Sequence, residues 1–157
     1  MPNLITDNAS SDPENQQRRL ELKLAWLGGI IDGEGMVTAI KRTERKRNQY
    51  GYIPRVSVVN TDLIIINEVV AICKELSLPH YVQSKEGKGL WKTKYEVLFN
   101  GFTRCKIVLE IIIPYLISKQ KRAIALLELC NNRLNLPHMS PYTEDDIQLA
   151  KSIRVRV

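Results

Sequence analysis

The chain has 157 residues, of which 44% are hydrophobic and 25% charged, a composition typical of one globular domain with its own core. No apolar run approaches the roughly 20 residues that cross a bilayer, which excludes a membrane-spanning protein and predicts no membrane partner. The N-terminal sequence is polar and lacks the basic-then-apolar order of a signal peptide. We therefore expect an intracellular protein, with a flexible arm at 1–16 and a single domain at 17–157.

The cysteine and histidine content excludes several kinds of site. Cys73, Cys105 and Cys130 are widely spaced in apolar contexts, a pattern typical of buried free thiols in an intracellular protein. His80 and His138 stand far apart, so a zinc site or a nuclease site of clustered histidines lacks its ligands. We also expect no small-molecule organic cofactor.

The hydrophobic pattern predicts a first helix from about Gln17 to Asp32. One apolar stripe recurs at the spacing of a helical face. Its residues are Leu20, Leu24, Leu27 and Ile31. Two strand-like runs follow at about 36–46 and 50–59, around a turn at 48–51, and they predict a long hairpin.

The next segments repeat the order of helix and hairpin. Asn60, Thr61 and Asp62 offer a helix N-cap ahead of LIIINEVVAICKEL, a run that ends before Pro79. The runs HYVQSKEG and LWKTKYEVLFN then predict a second strand pair, with its turn at 86–89.

Further helices complete the predicted order. Thr103 and Ser118 are candidate caps for the first two, and Thr143 with Asp146 forms a capping-box pattern for a last helix to about Ile153. The strands come in adjacent pairs and not in βαβ crossovers. We therefore predict an α+β domain of order αββαββα, with one four-stranded antiparallel sheet and helices on one face.

Alternation along the strands predicts a second sheet face that is long, polar and basic. The formal net charge of +6 agrees with a polyanionic partner, although charge alone fits a solvated basic face equally well. Arginine, lysine and glutamine can bond base edges in the DNA major groove, which admits a β-ribbon. The pattern on all four strands favours double-stranded DNA. The residues predicted to contact it are Thr38, Ile40, Arg42, Glu44, Lys46, Arg55, Ser57, Gln83, Lys85, Lys92 and Lys94.

The stretch LAWLGGIIDGEG, residues 24–35, makes two choices that are unfavourable in an isolated helix. Interior glycine costs roughly 0.5–1 kcal/mol relative to alanine, and acids at a helix C-terminus oppose the macrodipole. Ala25, Gly29 and Gly33 recur every four residues, a spacing that lets two helix backbones approach closely. The partner is either a helix of the same chain or a second copy, which implies a two-fold homodimer. The interface is then predicted at Ala25, Trp26, Gly28 and Gly29.

A second copy also accounts for the two acids. Near a two-fold axis, Asp32 and Glu34 of both copies would repel one another unless cations bound between them. Such oxygen ligands suit Mg²⁺, and metal ions beside a DNA backbone can activate a water and stabilise the leaving oxygen. The stretch therefore predicts a divalent-metal site at the end of the first helix.

The residues LGGIIDGEG, from Leu27 to Gly35, resemble the motif of the LAGLIDADG homing endonucleases position by position. Glycine stands where alanine is usual, and Glu34 replaces the final aspartate and keeps the carboxylate. The resemblance extends over about 20–132 in element order. It includes VVNTDLIIINEVV after the first hairpin, and PYLISKQKRA, which is similar to the family's helix with a catalytic-pocket lysine.

This resemblance implies a function. A chain with one motif acts as a homodimer that binds a long, roughly palindromic DNA site, with its sheets in the major groove. It cuts both strands across the minor groove by Mg²⁺-dependent phosphodiester hydrolysis and leaves short 3′ overhangs. Such proteins are usually encoded in introns or inteins and promote their own spread, a process called intron homing.

The resemblance also implies roles for single residues. Glu34 is the direct metal ligand with the Gly33 carbonyl beside it, Asn60 positions the attacking water, and Lys119 supports the hydrolytic water or the phosphate charge. Simple N-capping for Asn60 and a surface position for Lys119 are the alternatives. For Asp32 we favour capping or orienting the turn.

One role of the family has no matching residue. A further pocket arginine would align near Ile64, so its role is vacant or filled by Arg55 or Lys121.

Several alternatives compete with an endonuclease. An intron RNA maturase and a non-cleaving DNA-binding regulator share the fold, and RNA binding more often uses exposed aromatics, for which Trp91 is a candidate. A nuclease of the Asp…Glu-x-Lys kind would use Glu86, Gly87 and Lys88, which fall in a predicted turn. A purely structural dimer with a basic face leaves the acids unexplained.

Overall fold

The computed structural model describes residues 12–44 and 49–154 of the chain. Five α-helices and one four-stranded sheet confirm the predicted α+β class and the order αββαββα followed by helices. The elements are α1 Pro13–Glu34, β1 Gly35–Glu44, β2 Gln49–Asn60, α2 Leu63–Glu75, β3 Tyr81–Lys85, β4 Lys94–Asn100, α3 Phe102–Ile112, a 3₁₀ turn Ile113–Tyr115, α4 Gln120–Leu134 and α5 Glu144–Ile153. No helix in these ranges is long and apolar enough to cross a membrane.

The sheet is antiparallel throughout, with the strand order β1-β2-β4-β3. The β1–β2 ladder runs from Gly35 opposite Val58 to Glu44 opposite Gln49. Strand β4 pairs with β2 only between 55 and 60. The β1–β2 hairpin therefore projects beyond β4, and half of β2 pairs on its second edge with no strand of the described residues.

The hydrophobic core lies between one face of the sheet and the helices. Val37, Val56 and Phe99 on that face are fully buried, as are Leu27 and Ile31 on α1. Full burial of each such side chain contributes about 1.5–3 kcal/mol, so this layer holds the end of α1 against the sheet.

The three cysteines lie inside the helical layer as free thiols, as predicted. Burial raises the pKa of Cys73 to about 12, and it raises that of Cys105 further. Burial likewise raises the pKa of Cys130 to about 12. These thiols are therefore protonated core residues at neutral pH.

Helix α1 begins earlier and ends later than its sequence pattern indicated. It starts at Pro13 because Asp12 caps it, accepting a hydrogen bond from the Glu14 backbone N–H at 3.1 Å. Residues 13–16 of the predicted arm are therefore helical, and 1–11 lie outside the described residues. The helix ends at Glu34 and not at Asp32, so both acids lie in its last turn.

Some predicted turn and cap positions were wrong. Tyr50 and Gly51 belong to the β1–β2 ladder and not to a turn. Gly101, with φ of +96°, and not Thr103, precedes α3. Ser118 does not cap α4, which begins at Gln120 after Lys119 without a side-chain cap, and the Ser118 hydroxyl donates to Asp32 of α1 instead.

The projecting edge of β2 is completed by a side chain from the segment before α5. The Tyr142 hydroxyl accepts a hydrogen bond from the Tyr52 backbone N–H at 3.2 Å and donates one to the Tyr52 carbonyl at 3.0 Å. Arg133 stacks on the Tyr142 ring at 3.9 Å and forms a buried ion pair with Asp146. One phenol thus satisfies the two backbone groups that β4 would pair if it were longer.

We expect Tyr142→Phe to lower the free energy of unfolding by about 1–2 kcal/mol, because two partly buried backbone groups lose their partner. Urea denaturation measures this change. Tyr81→Phe is the matched control, since Tyr81 is exposed and its hydroxyl makes no hydrogen bond in the described part of the chain. Equal stability of the two variants would contradict this role of Tyr142.

Candidate metal centre and nucleic-acid interface

The C-terminal end of α1 is tied to the start of α4 by the carboxylate of Asp32. Its Oδ2 accepts a hydrogen bond from the Ile117 backbone N–H at 2.7 Å. Its Oδ1 accepts bonds from the Ser118 hydroxyl at 3.1 Å and the Lys119 backbone N–H at 3.0 Å. Both oxygens are therefore engaged within the chain, in agreement with the capping role favoured for Asp32.

Lys119, before the start of α4, donates hydrogen bonds back to the end of α1. Its ammonium donates to the Ile31 carbonyl at 2.9 Å and to the Asp32 carbonyl, both in the last turn of α1, and the Ile31 carbonyl also accepts from the Gly35 backbone N–H. A cation at a helix C-terminus also offsets the negative end of the macrodipole. Lys119 is thus not the free surface lysine of the alternative interpretation.

Both side chains have shifted pKa values. Burial alone would raise the pKa of Asp32, but the hydrogen bonds from Ile117, Lys119 and Ser118 outweigh it and lower the pKa below 3.8. Burial lowers the pKa of Lys119, and Arg122 adds to this effect, although the charge of Asp32 opposes it. The contact therefore joins an ionised carboxylate to a partly desolvated ammonium.

Glu34 lies in the same turn but points to solvent. It is exposed, and its carboxylate makes no hydrogen bond or ion pair with the described residues. Gly33 beside it is also exposed, and a Cβ there would meet nothing within 4 Å. Within 12–44 and 49–154, no three His, Cys, Asp or Glu side chains gather into a group that could hold a metal ion. One chain thus offers Glu34 alone as a free carboxylate at this helix end.

Asn60 lies at the end of β2, where its Oδ1 accepts a hydrogen bond from the Asp62 backbone N–H at 2.8 Å. The N-cap of α2 is Asp62 itself, which accepts from the Ile64 N–H at 2.8 Å. Asn60 therefore orients the turn, and its amide nitrogen makes no hydrogen bond in the described chain.

The position that aligns with the family's pocket arginine, Ile64, and the two candidates for its role, Arg55 and Lys121, lie on three different elements. Ile64 is 79% exposed at the start of α2, and Lys121 is exposed on α4. Arg55 donates from Nε to Asn100 Oδ1 at 3.3 Å across the sheet. No hydrogen bond brings any of them to Glu34 within the described residues.

The small residues of α1 lie on two adjacent faces of the helix. Ala25 and Gly29 are exposed, and a Cβ at Gly29 would meet none of the described residues within 4 Å. Gly28 was predicted at an interface between copies, but it is buried against its own chain, where a Cβ would lie 2.6 Å from the Tyr115 carbonyl oxygen. The close approach within the chain therefore occurs at Gly28, and the face of Ala25 and Gly29 is open.

An exposed apolar patch adjoins the outward face of α1. Leu22 and Trp26 of α1 and Leu63 and Ile64 of α2 keep between 36% and 79% of their surface exposed. A groove of about 380 Å³ runs between the two helices beside them. Monomeric soluble proteins rarely expose contiguous apolar surface of this kind, which is typical of protein interfaces.

The open face of the sheet carries most of the predicted DNA contacts. Those on it that are at least partly exposed are Ile40, Arg42, Arg55, Gln83, Lys85 and Lys94. Lys92 is exposed but precedes β4, so it belongs to the connection and not to the strand. Lys46 and the side chain of Glu44 lie outside the described residues.

Two of the predicted contacts were wrong. Thr38 is 8% exposed and Ser57 is fully buried, although both lie on the open face. They are short side chains close to the α1 end of the sheet, and their cross-strand partners are larger: Arg55 lies opposite Thr38, and Met36 and Leu98 lie opposite Ser57. Alternation predicts the face that a residue shares, but it does not predict how far the side chain reaches.

The structure adds two features of the open face to the predicted DNA contacts. Glu96 lies opposite Gln83, which donates to its carboxylate at 2.7 Å, so an acidic acceptor stands among the cations. Leu90 is fully exposed and Trp91 is 76% exposed in the β3–β4 connection. The sequence signal for the second feature was an apolar pair between lysines in a turn region.

Replacing one carboxylate oxygen of Asp32 by an amide nitrogen tests the link between α1 and α4. Asp32→Asn places an N–H group opposite backbone donors, and we expect a loss of about 1 kcal/mol, the usual size of a lost helix cap. Because the carboxylate pKa is lowered, the difference from wild type is present above pH 3.8 and is lost as the pH falls through the lowered pKa.

Urea denaturation as a function of pH measures this effect. The matched control is Asp62→Asn, because asparagine caps one N–H as well as aspartate does. A pH-independent difference, or an equal loss in both variants, would show that the charge of Asp32 does not stabilise the link.

The fold is similar to that of solved structures. The homing endonuclease I-CvuI bound to its target aligns with a TM-score of 0.68 at 21% identity, over 87% of this chain and 82% of that chain. The archaeal intron-encoded homing endonuclease I-Vdi141I, complexed with DNA, gives 0.66 at 16% identity over 85% and 82%. The LAGLIDADG homing endonuclease I-GzeII, in complex with its DNA target, gives 0.60 at 13% identity over 83% and 42%.

Comparison of the sequence with protein-family models and with curated proteins gives no match. The likeness therefore resides in the architecture. With these TM-scores over most of its length, the chain has the fold of the LAGLIDADG homing endonucleases, as LGGIIDGEG predicted.

Proposed function

We propose that this protein is a site-specific homing endonuclease that cleaves double-stranded DNA as a homodimer. The observation that carries the proposal is the unequal use of the two acids in the last turn of α1. Both carboxylate oxygens of Asp32 accept hydrogen bonds within the chain, whereas Glu34 is exposed and has no partner among the described residues. A free carboxylate at the negative end of a helix is unfavourable unless a cation binds to it.

The homodimer is supported by the outward face of α1. Ala25 and Gly29 leave that face smooth, and the apolar patch formed by Leu22, Trp26, Leu63 and Ile64 continues it onto α2. The chain spans 82% of the I-CvuI chain but less than half of the I-GzeII chain. A second copy would supply the other half of the assembly and would bring two Glu34 carboxylates together at the two-fold axis.

The donor set fits a divalent metal such as Mg²⁺. Glu34 and the Gly33 carbonyl supply hard oxygen atoms, and DNA phosphates and waters would complete the ligands that Mg²⁺ prefers. The I-CvuI complexes were crystallised with Ca or Mg present. A metal ion held there would supply Lewis-acid stabilisation of the leaving oxygen and activation of water in phosphodiester hydrolysis.

The remaining residues of the site, Lys119 and Asn60, would stabilise charge and orient the attacking water. Lys119 keeps a positive charge at the end of α1, from which it stabilises negative charge on the phosphate or the hydrolytic water. Asn60, whose amide nitrogen is free to donate, orients that water. We propose cleavage of both strands of a long, roughly palindromic site with 3′ overhangs, by an intron-encoded protein that promotes its own spread.

The open sheet face would lie in the DNA major groove. Arg42, Lys85 and Lys94 are exposed there and form no ion pair in the described chain, so they are available for phosphates and base edges. Binding would release counterions, and we expect affinity to fall steeply with salt.

Other functions of the same fold predict different results. A DNA-binding regulator would need no free carboxylate at Glu34, which is the observation against it. The exposed Trp91 is the feature that favours an RNA maturase, since unpaired bases stack on aromatic side chains. The Glu-x-Lys nuclease is disfavoured, because a Cβ at Gly87 would overlap the Trp91 carbonyl and the tripeptide belongs to a tight turn.

We expect Glu34→Gln to abolish cleavage while leaving DNA affinity nearly unchanged, because it removes a metal ligand and no phosphate contact. Loss of several kcal/mol of metal-dependent stabilisation lowers the rate by at least about 10²–10³-fold. The measurement incubates the protein with a library of randomised duplexes and Mg²⁺, and sequences both the cut ends and the bound duplexes.

The matched control is Glu110→Gln, an exposed glutamate on α3 that should cut as wild type does. Cleavage that survives in Glu34→Gln would exclude the proposed metal site. Binding without cleavage by the wild type would favour a regulator, and binding of intron RNA alone would favour a maturase.

We expect Gly29→Leu to prevent dimer formation and cleavage while the monomer stays folded. None of the described residues lies within 4 Å of a Cβ at this position, and leucine favours a helix over glycine by almost 1 kcal/mol. Sedimentation equilibrium measures the association. Glu128→Leu, which also adds an apolar side chain to an exposed helix position, should stay dimeric. A dimeric Gly29→Leu protein would exclude this face as the interface.

A further inference from the structure

The connection between β3 and β4, residues 86–93, is the most exposed apolar feature of the described chain. We call it the β3–β4 tip. Leu90 is fully exposed and Trp91 keeps 76% of its surface in contact with water. Leucine and tryptophan are both large apolar side chains. Burying Leu90 and Trp91 against a partner would therefore contribute a considerable hydrophobic free energy.

The backbone of the tip fixes this exposure. Gly89 has φ of +63°, and a Cβ at Gly87 would lie 1.7 Å from the Trp91 carbonyl oxygen. The Trp91 backbone N–H donates to the Lys88 carbonyl at 3.2 Å. The turn is therefore folded back on itself, and its geometry holds the two apolar side chains outward.

The residues around the tip carry a strong positive charge. Lys85, Lys88, Lys92 and Lys94 are exposed, and Glu86 is the one acidic residue between 85 and 94. None of the four lysines forms an ion pair within the described residues. Lys85 and Lys94 are even direct partners in the β3–β4 ladder, and like charges in that position repel. Such an arrangement is stabilised by a polyanion.

We propose that the β3–β4 tip is an apolar contact to duplex DNA, in which Leu90 and Trp91 pack against deoxyribose and thymine methyl groups while the flanking lysines bind phosphates. The tip continues the open sheet face from Gln83 and Glu96, whose paired side chains suit base edges in a major groove. This inference rests on the proposed DNA-binding function and adds to it a contact that is apolar and insensitive to salt.

The test separates the apolar contact from the ionic ones. Affinity for a mixed-sequence duplex is measured as a function of salt concentration for wild type, Trp91→Ala, Trp91→Phe, Leu90→Ala and Lys92→Ala. We expect Trp91→Ala to weaken binding about tenfold with an unchanged salt slope, and Trp91→Phe to restore most of that loss. Lys92→Ala should reduce the magnitude of the slope by about 1, because one phosphate contact is lost.

Intrinsic fluorescence gives a second readout on the folded protein. Trp26 and Trp91 are the two tryptophans of the chain, so a change on duplex binding that Trp91→Phe abolishes reports the tip directly. Ile124→Ala is the matched control, since Ile124 is half-exposed on α4 and should not affect binding. Equal urea denaturation of all variants excludes unfolding as the cause.

Each outcome decides the inference. Duplex affinity unchanged in both Trp91→Ala and Leu90→Ala overturns it while leaving the proposed function intact, provided that the wild type binds duplex. A larger effect of Trp91→Ala on single-stranded DNA or RNA of the same sequence also overturns it, in favour of stacking on unpaired bases. A wild type that binds no duplex overturns the proposed function and this inference together.

Discussion

The end of α1 and the start of α4 hold each other by hydrogen bonds in both directions, and the candidate site depends on this contact. The Asp32 carboxylate binds three donors between 117 and 119, and the Lys119 ammonium binds two carbonyls at the end of α1. Each charge offsets the end of a helix dipole. Because the contact occupies Asp32, it leaves Glu34 as the free carboxylate of this turn, and it fixes the direction in which the helix ends.

Two adjacent glycines of α1 face in different directions. Gly28 lets the 3₁₀ turn approach so closely that a side chain would overlap Tyr115. Gly29, one residue later, faces outward beside Ala25 and Trp26. The unfavourable helix propensity of the motif is thus explained within the chain for one glycine, and the proposed homodimer explains it for the other.

The two faces of the sheet also have different roles. One face packs against the helices, and the other carries arginine, lysine and glutamine side chains that are at least partly exposed. The β1–β2 hairpin projects past β4, and the Tyr142 hydroxyl takes the place of the missing strand. The β3–β4 tip extends the open face at the opposite hairpin. A long basic surface is therefore supported by a small core.

The sequence by itself determined the fold class, the element order, the two sheet faces and the identity of the motif, because hydrophobic periodicity, caps at Asp62 and Thr143, and the residues LGGIIDGEG are local signals. Tertiary structure decided the rest. The hydrogen bonds of Asp32 to residues 117–119, the burial of Ser57 and Gly28, and the turn that exposes Trp91 arise from residues distant in the chain or from backbone geometry. Spacing along one segment carries no information about such contacts.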